Sequence, residues 1–517
     1  MKILEDKALV LRVKHPHRIT NTIPKSKIIA DHGEVKEVAV YWGLEEAQVL
    51  KNLGFKNVPS PITKKYKWPG IFKPFDHQKE TAAFLTMHRR AYCFNDPGTG
   101  KTASFAWASD YLLTKKFIKR VLVICPLSIM SSAWQADLFK TLMHRRVDVA
   151  HGDRKKRAKV IESDAEYVII NFDGVETVLE ELQAGGFDLV IIDEANAVKT
   201  ATTKRWKAIN SLITPETWLW MATGTPASQA PTDAYGLAKM LNPSSVPAYF
   251  YSFRDMVMYK VTQFKWSAKA NAEKVVRDVL QPAIRFSKDE CLDLPELLYM
   301  TRKVEMTPQQ KKYYNTMKEQ FLMEAGGETV TSVNAATNLN KLLQVAAGAV
   351  YTDDGAVIEF DISNRYKVLL EAIEESTHKV LVFVPFRHTI DLLADKLSSD
   401  NYKVDVIHGG ISATARTAIF QKFQTEAEPK ILLIQPAAAS HGVTLHAANT
   451  VVWWGPVTSN ETYHQANARV HRAGQKNPCL VVRLSGSRVE DKFYDALDNK
   501  SEDMQGLLDL YREEMST

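Results

Sequence analysis

The eight residues Asn95-Asp96-Pro97-Gly98-Thr99-Gly100-Lys101-Thr102 set two glycines, an ammonium group and two hydroxyls between a short apolar run and a helix-forming stretch, Ala103–Leu113. Glycines let backbone N–H groups turn toward phosphate oxygens, and a helix N-terminus adds favourable partial charge. In such a loop Lys101 reaches the β- and γ-phosphates of a nucleotide, and the Thr102 hydroxyl binds Mg²⁺. Asn95 stands where the full phosphate-loop pattern has its first glycine, so the match is to the second half of that pattern. A Gly-Thr-Gly stretch alone is a turn; with Lys-Thr attached in strand–loop–helix context, it points to nucleotide binding.

Two further segments suit the same chemistry. Leu189-Val190-Ile191-Ile192-Asp193-Glu194 is an apolar strand that ends in two acids. A carboxylate at a strand tip, Asp193, holds Mg²⁺ through water, while Glu194 orients an attacking water. The competing reading is an acidic strand end that caps the next helix. Gln465-Ala466-Asn467-Ala468-Arg469-Val470-His471-Arg472 places two arginines three residues apart, on nearly one face if the segment is helical. Arginines of this kind stabilise charge on a transferring γ-phosphoryl, worth roughly 10³–10⁵ in rate. The alternative is a surface helix with exposed ion pairs of little energetic weight.

These segments need a frame. From Ala91 onward, apolar runs of three to six residues alternate with longer polar or amphipathic stretches. The first series is Ala91–Phe94, Val121–Cys125, Val147–Val149, Tyr167–Ile170, Leu189–Ile192 and Trp218–Met221. The second is Val380–Val384, Val404–Ile407, Ile431–Ile434, Val451–Trp454 and Leu480–Leu484. Such runs, rich in Val, Ile and Leu without alternation, suit parallel strands buried on both faces, with crossover helices in the spacers. Two series imply two doubly wound α/β lobes. Val147-Asp148-Val149-Ala150-His151-Gly152 echoes Val404-Asp405-Val406-Ile407-His408-Gly409, as duplication would produce.

The expected division is a basic N-terminal accessory domain at 1–70 and a first lobe at 71–242. Helical extensions and a linker follow at 243–360, then a second lobe at 361–517. Within the first segment a strand is expected at Val38–Trp42 and a short helix from Leu44 to Gly54. Residues 1–75 carry a net +7 of the chain's +6, so the remainder is near neutral. The knot Lys64-Lys65-Tyr66-Lys67-Trp68, with aromatics among its lysines, suits a phosphate backbone, although a solvated face is the commoner meaning of such a run. Arg154-Lys155-Lys156-Arg157 carries the same two readings, and Trp453 and Trp454 are expected in a core. Cys93, Cys125, Cys291 and Cys479 lack any paired spacing for zinc or a redox motif. No stretch approaches the roughly 20 apolar residues of a spanning helix, and the opening residues are no signal peptide. The expectation is a cytoplasmic, monomeric chain with no membrane partner.

Taken in order, the segments resemble the superfamily-two helicases, and within them the SWI/SNF-like group of double-stranded DNA translocases, over about Phe75 to Lys500. Phe75-Asp76-His77-Gln78 is similar to the adenine-reading glutamine motif, and Asn95–Thr102 to motif I. Ile124-Cys125-Pro126-Leu127-Ser128 with Trp134 is similar to motif Ia, and Ile169-Ile170-Asn171-Phe172 to motif Ib. Asp193-Glu194-Ala195-Asn196 resembles motif II, and Ala222-Thr223-Gly224-Thr225-Pro226 motif III. Phe383-Val384-Pro385-Phe386, His441-Gly442-Val443-Thr444-Leu445 and Gln465–Gln475 resemble motifs IV, V and VI. His471-Arg472-Ala473-Gly474-Gln475 is close to the signature of the SWI/SNF-like branch.

The resemblance implies an α/β fold of two tandem RecA-like lobes, with ATP and Mg²⁺ as ligands. It implies nucleotide contacts for Gln78, the 95–102 loop, Gly442 and Gln465, and catalytic roles for Lys101, Asp193, Glu194, Arg469 and Arg472. The implied partner is double-stranded or branched DNA gripped without regard to sequence, with residues 1–70 open to a protein partner. Asn196 replaces the family's usual His in motif II, and His441 and Thr444 depart from the usual motif V. The implied activity is ATP hydrolysis driving movement on duplex DNA. A strand-separating helicase at forks and an ATP-liganded binding module remain as alternatives.

Overall fold

The computed structural model describes residues 1–498 except 225, 228–229, 263–265, 292–293, 326–331, 353–355, 440–442 and 473. The chain forms two compact units, Met1–Cys291 and Leu292–Thr517. The first opens with a small antiparallel sheet of β1 (Lys2–Leu4), β2 (Ala8–Val13), β3 (Ser26–His32) and β4 (Val35–Tyr41), in the order β1-β2-β4-β3. Leu9, Leu11, Val38 and Val40 alternate onto one face, where they pack with Ile19, Ile23, Trp42 and Leu50. The helix Leu44–Asn52 follows. β1, β2 and β3 lie outside the expected elements: β1 and β3 are edge strands with mostly exposed side chains, whereas β2 carries an apolar run, Ala8–Leu11.

The stretch after this sheet is tied to the lobe that follows. Gln48 donates to the Thr86 carbonyl at 2.9 Å, the Ser60 and Thr86 hydroxyls meet at 2.7 Å, and the Trp107 indole donates to the Pro69 carbonyl at 3.0 Å. The lobe itself is a seven-stranded parallel sheet. It comprises β5 (Arg90–Cys93), β6 (Val121–Cys125), β7 (Val147–Ala150), β8 (Tyr167–Asn171), β9 (Leu189–Asp193), β10 (Trp218–Ala222) and β11 (Ala283–Ile284), ordered β11-β5-β10-β9-β6-β8-β7. The central runs, Val121–Cys125, Tyr167–Ile170, Leu189–Ile192 and Trp218–Ala222, are apolar because both faces are covered. Leu122, Ile124, Val190, Ile192 and Met221 enter one core, while Val123, Cys125, Ile191 and Trp220 enter the other.

The second unit repeats the plan. Its parallel sheet contains β12 (Leu297–Lys303), β13 (Lys379–Phe383), β14 (Val404–Ile407), β15 (Ile431–Ile434), β16 (Ala448–Trp453) and β17 (Cys479–Ser485), ordered β12-β17-β16-β13-β15-β14. The echoing segments, β7 and β14, occupy the same edge position of their two sheets. The region 243–360 supplies the helices Phe250–Val257, Ala272–Val279, Pro308–Ala325 and Ser332–Ala347, and also adds β11 to one sheet and β12 to the other. No helix among the described residues is long and apolar enough to cross a membrane.

A buried ion pair fixes the second unit. Both guanidinium nitrogens of Arg365 donate to Glu490 at 2.8 Å, with side-chain exposures of 2% and 1%. Arg365 also donates to the Trp454 carbonyl at 2.5 Å. Removing one member strands a charge in the core, which costs about 3–5 kcal/mol. Glu490→Ala is therefore expected to lower the denaturation midpoint of the second unit sharply, checked by urea unfolding followed by circular dichroism.

Candidate functional site

Strands β5, β9 and β10 end at one level, since Ala222 pairs with Cys93 on one side and with Asp193 on the other. At the tip of β5 the chain enters the glycine loop. Gly98 (φ 90°) and Gly100 (φ 76°) adopt left-handed backbone, and a Cβ at Gly100 would lie 2.1 Å from Gln78 Nε2. The helix Lys101–Thr114 starts immediately after. Lys101 and Thr102 therefore occupy its first turn, where N–H groups lack intrahelical partners. Lys101 Nζ donates to the Asn95 carbonyl at 2.8 Å.

Asn95 explains how the loop is held without its first glycine. The residue is 1% exposed. Its Nδ2 donates to the Thr81 hydroxyl at 2.9 Å, and its Oδ1 accepts from Phe286 N–H at 3.0 Å. Asp96 continues the clamp, donating its N–H to the Phe286 carbonyl at 3.0 Å and accepting from Lys288 N–H at 3.2 Å. The Thr99 carbonyl accepts from Gln78 Nε2 at 3.2 Å and pairs with His77 Nε2 at 2.8 Å, while Gln78 Oε1 accepts from Phe75 N–H at 3.0 Å. Gln78 thus bridges the start of the helix Asp76–Thr86 to the loop. Pro97 packs against Gly224, where a Cβ would come within 2.9 Å of its Cδ.

Asp193 ends β9, and its two oxygens accept from Trp134 Nε1 at 2.8 Å and from Glu194 N–H at 3.0 Å. Burial pushes this carboxyl above the usual carboxylate range, and the Lys101 charge and the Trp134 hydrogen bond oppose the rise. Glu194 turns the chain in left-handed conformation (φ 55°, ψ 54°), a state that costs a non-glycine residue about 1–3 kcal/mol and is found where geometry at a site demands it. Trp134 has no signal in sequence that ties it to Asp193. A π-helical turn, Met130–Gln135, aims its ring there, as such turns often do at functional sites.

In the second unit, the helix Asn460–Asn467 ends before both arginines, which lie on the turns that follow. The expectation of one helical face is therefore corrected. The helix stops because Trp453 Nε1 donates to Asn467 Oδ1 at 3.0 Å and the next residues bond elsewhere. The Arg469 carbonyl accepts from Leu445 N–H at 2.9 Å, and Arg472 donates to the Val443 carbonyl at 3.1 Å. Gln475 Nε2 reaches the Ala448 carbonyl at 2.9 Å, and His471 Nε2 pairs with the Pro295 carbonyl at 2.8 Å. Gln465 donates to Glu461 at 3.0 Å. Gly442, with His441, Thr225 and Ala473, lies outside the described residues.

Other singled-out segments resolve plainly. Trp453 and Trp454 are fully buried. Arg157 turns inward onto the Ala150 and Gly152 carbonyls at 2.8 Å and onto Asn171, while Arg154 pairs with Glu180 and Glu181. In the 64–68 knot the two aromatic side chains turn inward. Tyr66 donates to Asp110, and Trp68 packs edge-on against Trp107.

The loop suits a nucleoside triphosphate: left-handed Gly98 and Gly100 turn the backbone into the first turn of the helix Lys101–Thr114, where unpaired N–H groups and Lys101 lie together. Among the described residues no cluster of three His, Cys, Asp or Glu stands ready for a metal. Thr102 and Asp193 nonetheless offer the hard oxygen donors Mg²⁺ takes alongside phosphates and water.

The SNF2-related domain model matches residues 77–347, and the helicase conserved C-terminal domain model matches residues 364–474. The chain belongs to the SNF2-related family of ATP-dependent helicases. It is 26% identical over 423 residues to an uncharacterised ATP-dependent helicase of Mycoplasma genitalium, covering 79% of this chain but 39% of that protein. Protein p41 of Acyrthosiphon pisum secondary endosymbiont phage 1 is 22% identical, with 84% of this chain and 98% of that protein covered. The Sulfolobus solfataricus SWI2/SNF2 ATPase core in complex with double-stranded DNA matches at 22% identity and a TM-score of 0.42, over 84% of this chain and 92% of that one.

Proposed function

We propose that the chain is a DNA-dependent ATPase that hydrolyses ATP to ADP and phosphate and moves along double-stranded DNA, displacing bound proteins or remodelling branched DNA. The observation that carries this reading is the convergence of the glycine loop, Lys101 and the Asp193–Glu194 strand tip in a chain of the SNF2-related family. Lys101 leaves the Asn95 carbonyl for the β- and γ-phosphates, and the loop N–H groups hold the remaining phosphate oxygens. Thr102 and Asp193 would hold Mg²⁺, which would supply positive charge to offset that of the phosphates. Glu194 orients the attacking water and takes its proton. Arg469 and Arg472 stabilise the charge that builds on the γ-phosphoryl. Movement follows if each unit grips the DNA backbone with a strength that alternates through the cycle.

Backbone contacts carry no base information, so DNA binding is independent of sequence and falls steeply with salt. A triplex-displacement assay tests the movement. ATP-driven release of a third strand from a linear duplex, absent with Lys101→Ala, is the expected result. Release of strands from forks without release from triplexes would make the chain a helicase instead.

A further inference from the structure

The basic knot at 64–68 has no part in the nucleotide loop, and the structure divides it. While Tyr66 and Trp68 turn inward, Lys65 reaches across to the N-terminal sheet. Its Nζ donates to the Trp42 carbonyl and lies 4.7 Å from the centroid of the Tyr41 ring. Lys25 lies 5.2 Å from the same centroid and pairs with Glu46 at 3.1 Å. Tyr41 ends β4 and keeps 47% of its surface exposed. The ring borders a cavity of about 330 Å³ whose lining includes Ala8, Ala39, Lys25 and Lys27. Across the sheet Ala8 pairs with Tyr41 and Ala39 with Lys27, so two small side chains sit beside the ring and the exposed lysine.

We propose that this face is a separate binding site for single-stranded DNA, in which one unpaired base takes the place of a lysine ammonium over the Tyr41 ring and its flanking phosphates draw Lys25 and Lys65 from their present partners and engage Lys27. Exposed aromatic rings beside lysines recognise single strands because every base offers a π-face and every nucleotide a phosphate. Duplex DNA keeps its bases stacked on one another and leaves the ring without a partner. An acidic protein segment would use the lysines and not the ring or the cavity. The net +7 of residues 1–75 supplies the matching charge. Hydrogen bonds at Gln48, Ser60 and Pro69, all in the stretch that follows this sheet, join it to the first lobe, so a strand bound at Tyr41 is held beside that lobe.

The test is photocrosslinking of the full chain, without nucleotide, to an oligo-dT carrying one 5-iodouracil, followed by peptide mapping. The expected result is an adduct at Tyr41, kept in Tyr41→Phe and lost in Tyr41→Ala. Tyr41→Ala and Lys27→Glu should each weaken oligo-dT binding about tenfold by fluorescence anisotropy, the effect of one stacked base or its phosphate. Lys101→Ala must keep the adduct, which separates this site from the nucleotide loop. No adduct at Tyr41, with unchanged affinity in both variants, would overturn the assignment. So would displacement of the oligonucleotide by polyglutamate as readily as by dT, which would make the face a general anion patch.

Discussion

Arg472→Ala is expected to lower the turnover of ATP by about 10³–10⁵-fold while leaving ATP affinity nearly unchanged. The guanidinium acts on charge that exists only while the γ-phosphoryl transfers, so the loss falls on kcat. Arg472 is the better probe of the pair. Arg469 is 7% exposed, so its removal also disturbs packing, whereas Arg472 is half-buried and donates to the Val443 carbonyl. Lysine at 472 should not restore the rate, because a single ammonium lacks the planar fork that spans two phosphate oxygens. Single-turnover hydrolysis, with nucleotide affinity measured separately, checks this. A variant that loses affinity and keeps its rate would assign Arg472 to binding alone.

The second large effect is expected at Glu194. Glu194→Gln keeps the size of the side chain and its hydrogen-bonding reach but removes the base that accepts the proton of the attacking water. A fall in kcat of about 10²–10⁴-fold follows, with ATP bound but not turned over. The Asp193 hydrogen bond from the backbone of residue 194 is preserved, so the carboxylate beside it stays in place. DNA binding in the presence of ATP should consequently be retained or prolonged. Filter binding of labelled ATP alongside phosphate release separates a trapped complex from one that never forms.

Much of the frame is legible in the sequence because the fold buries its strands on both faces. All eleven apolar runs are strands, among them Val121–Cys125, Val404–Ile407 and Ile431–Ile434, each with its predicted ends. Apart from β2, whose run Ala8–Leu11 is apolar, the strands that went unread lack that signature. β3 is an exposed edge, β11 is two residues long, and β12 (Leu-Leu-Tyr-Met-Thr-Arg-Lys) has mostly exposed side chains. At the candidate site the glycine loop and the acidic strand tip are readable, since backbone conformation and charge restrict the residue types allowed. Its supports are not. Trp134 reaches Asp193 across 59 residues of sequence through a π-helical turn, and Phe286 clamps Asn95 across 191. Periodicity records which face a side chain occupies, not which distant group it meets. The arginine segment was misread because a spacing of three suits a helix and also suits the turn that Asn467, Leu445 and Gln475 impose.

Steady-state ATP hydrolysis with no nucleic acid, single-stranded DNA, blunt duplex and forked duplex tests the motor reading most directly, with Lys101→Ala as the control for contaminating activity. Strong stimulation by blunt duplex, falling with salt and absent in Lys101→Ala, is the expected result. Hydrolysis at one rate under all four conditions, or stimulation confined to single strands, would contradict a motor that runs on double-stranded DNA.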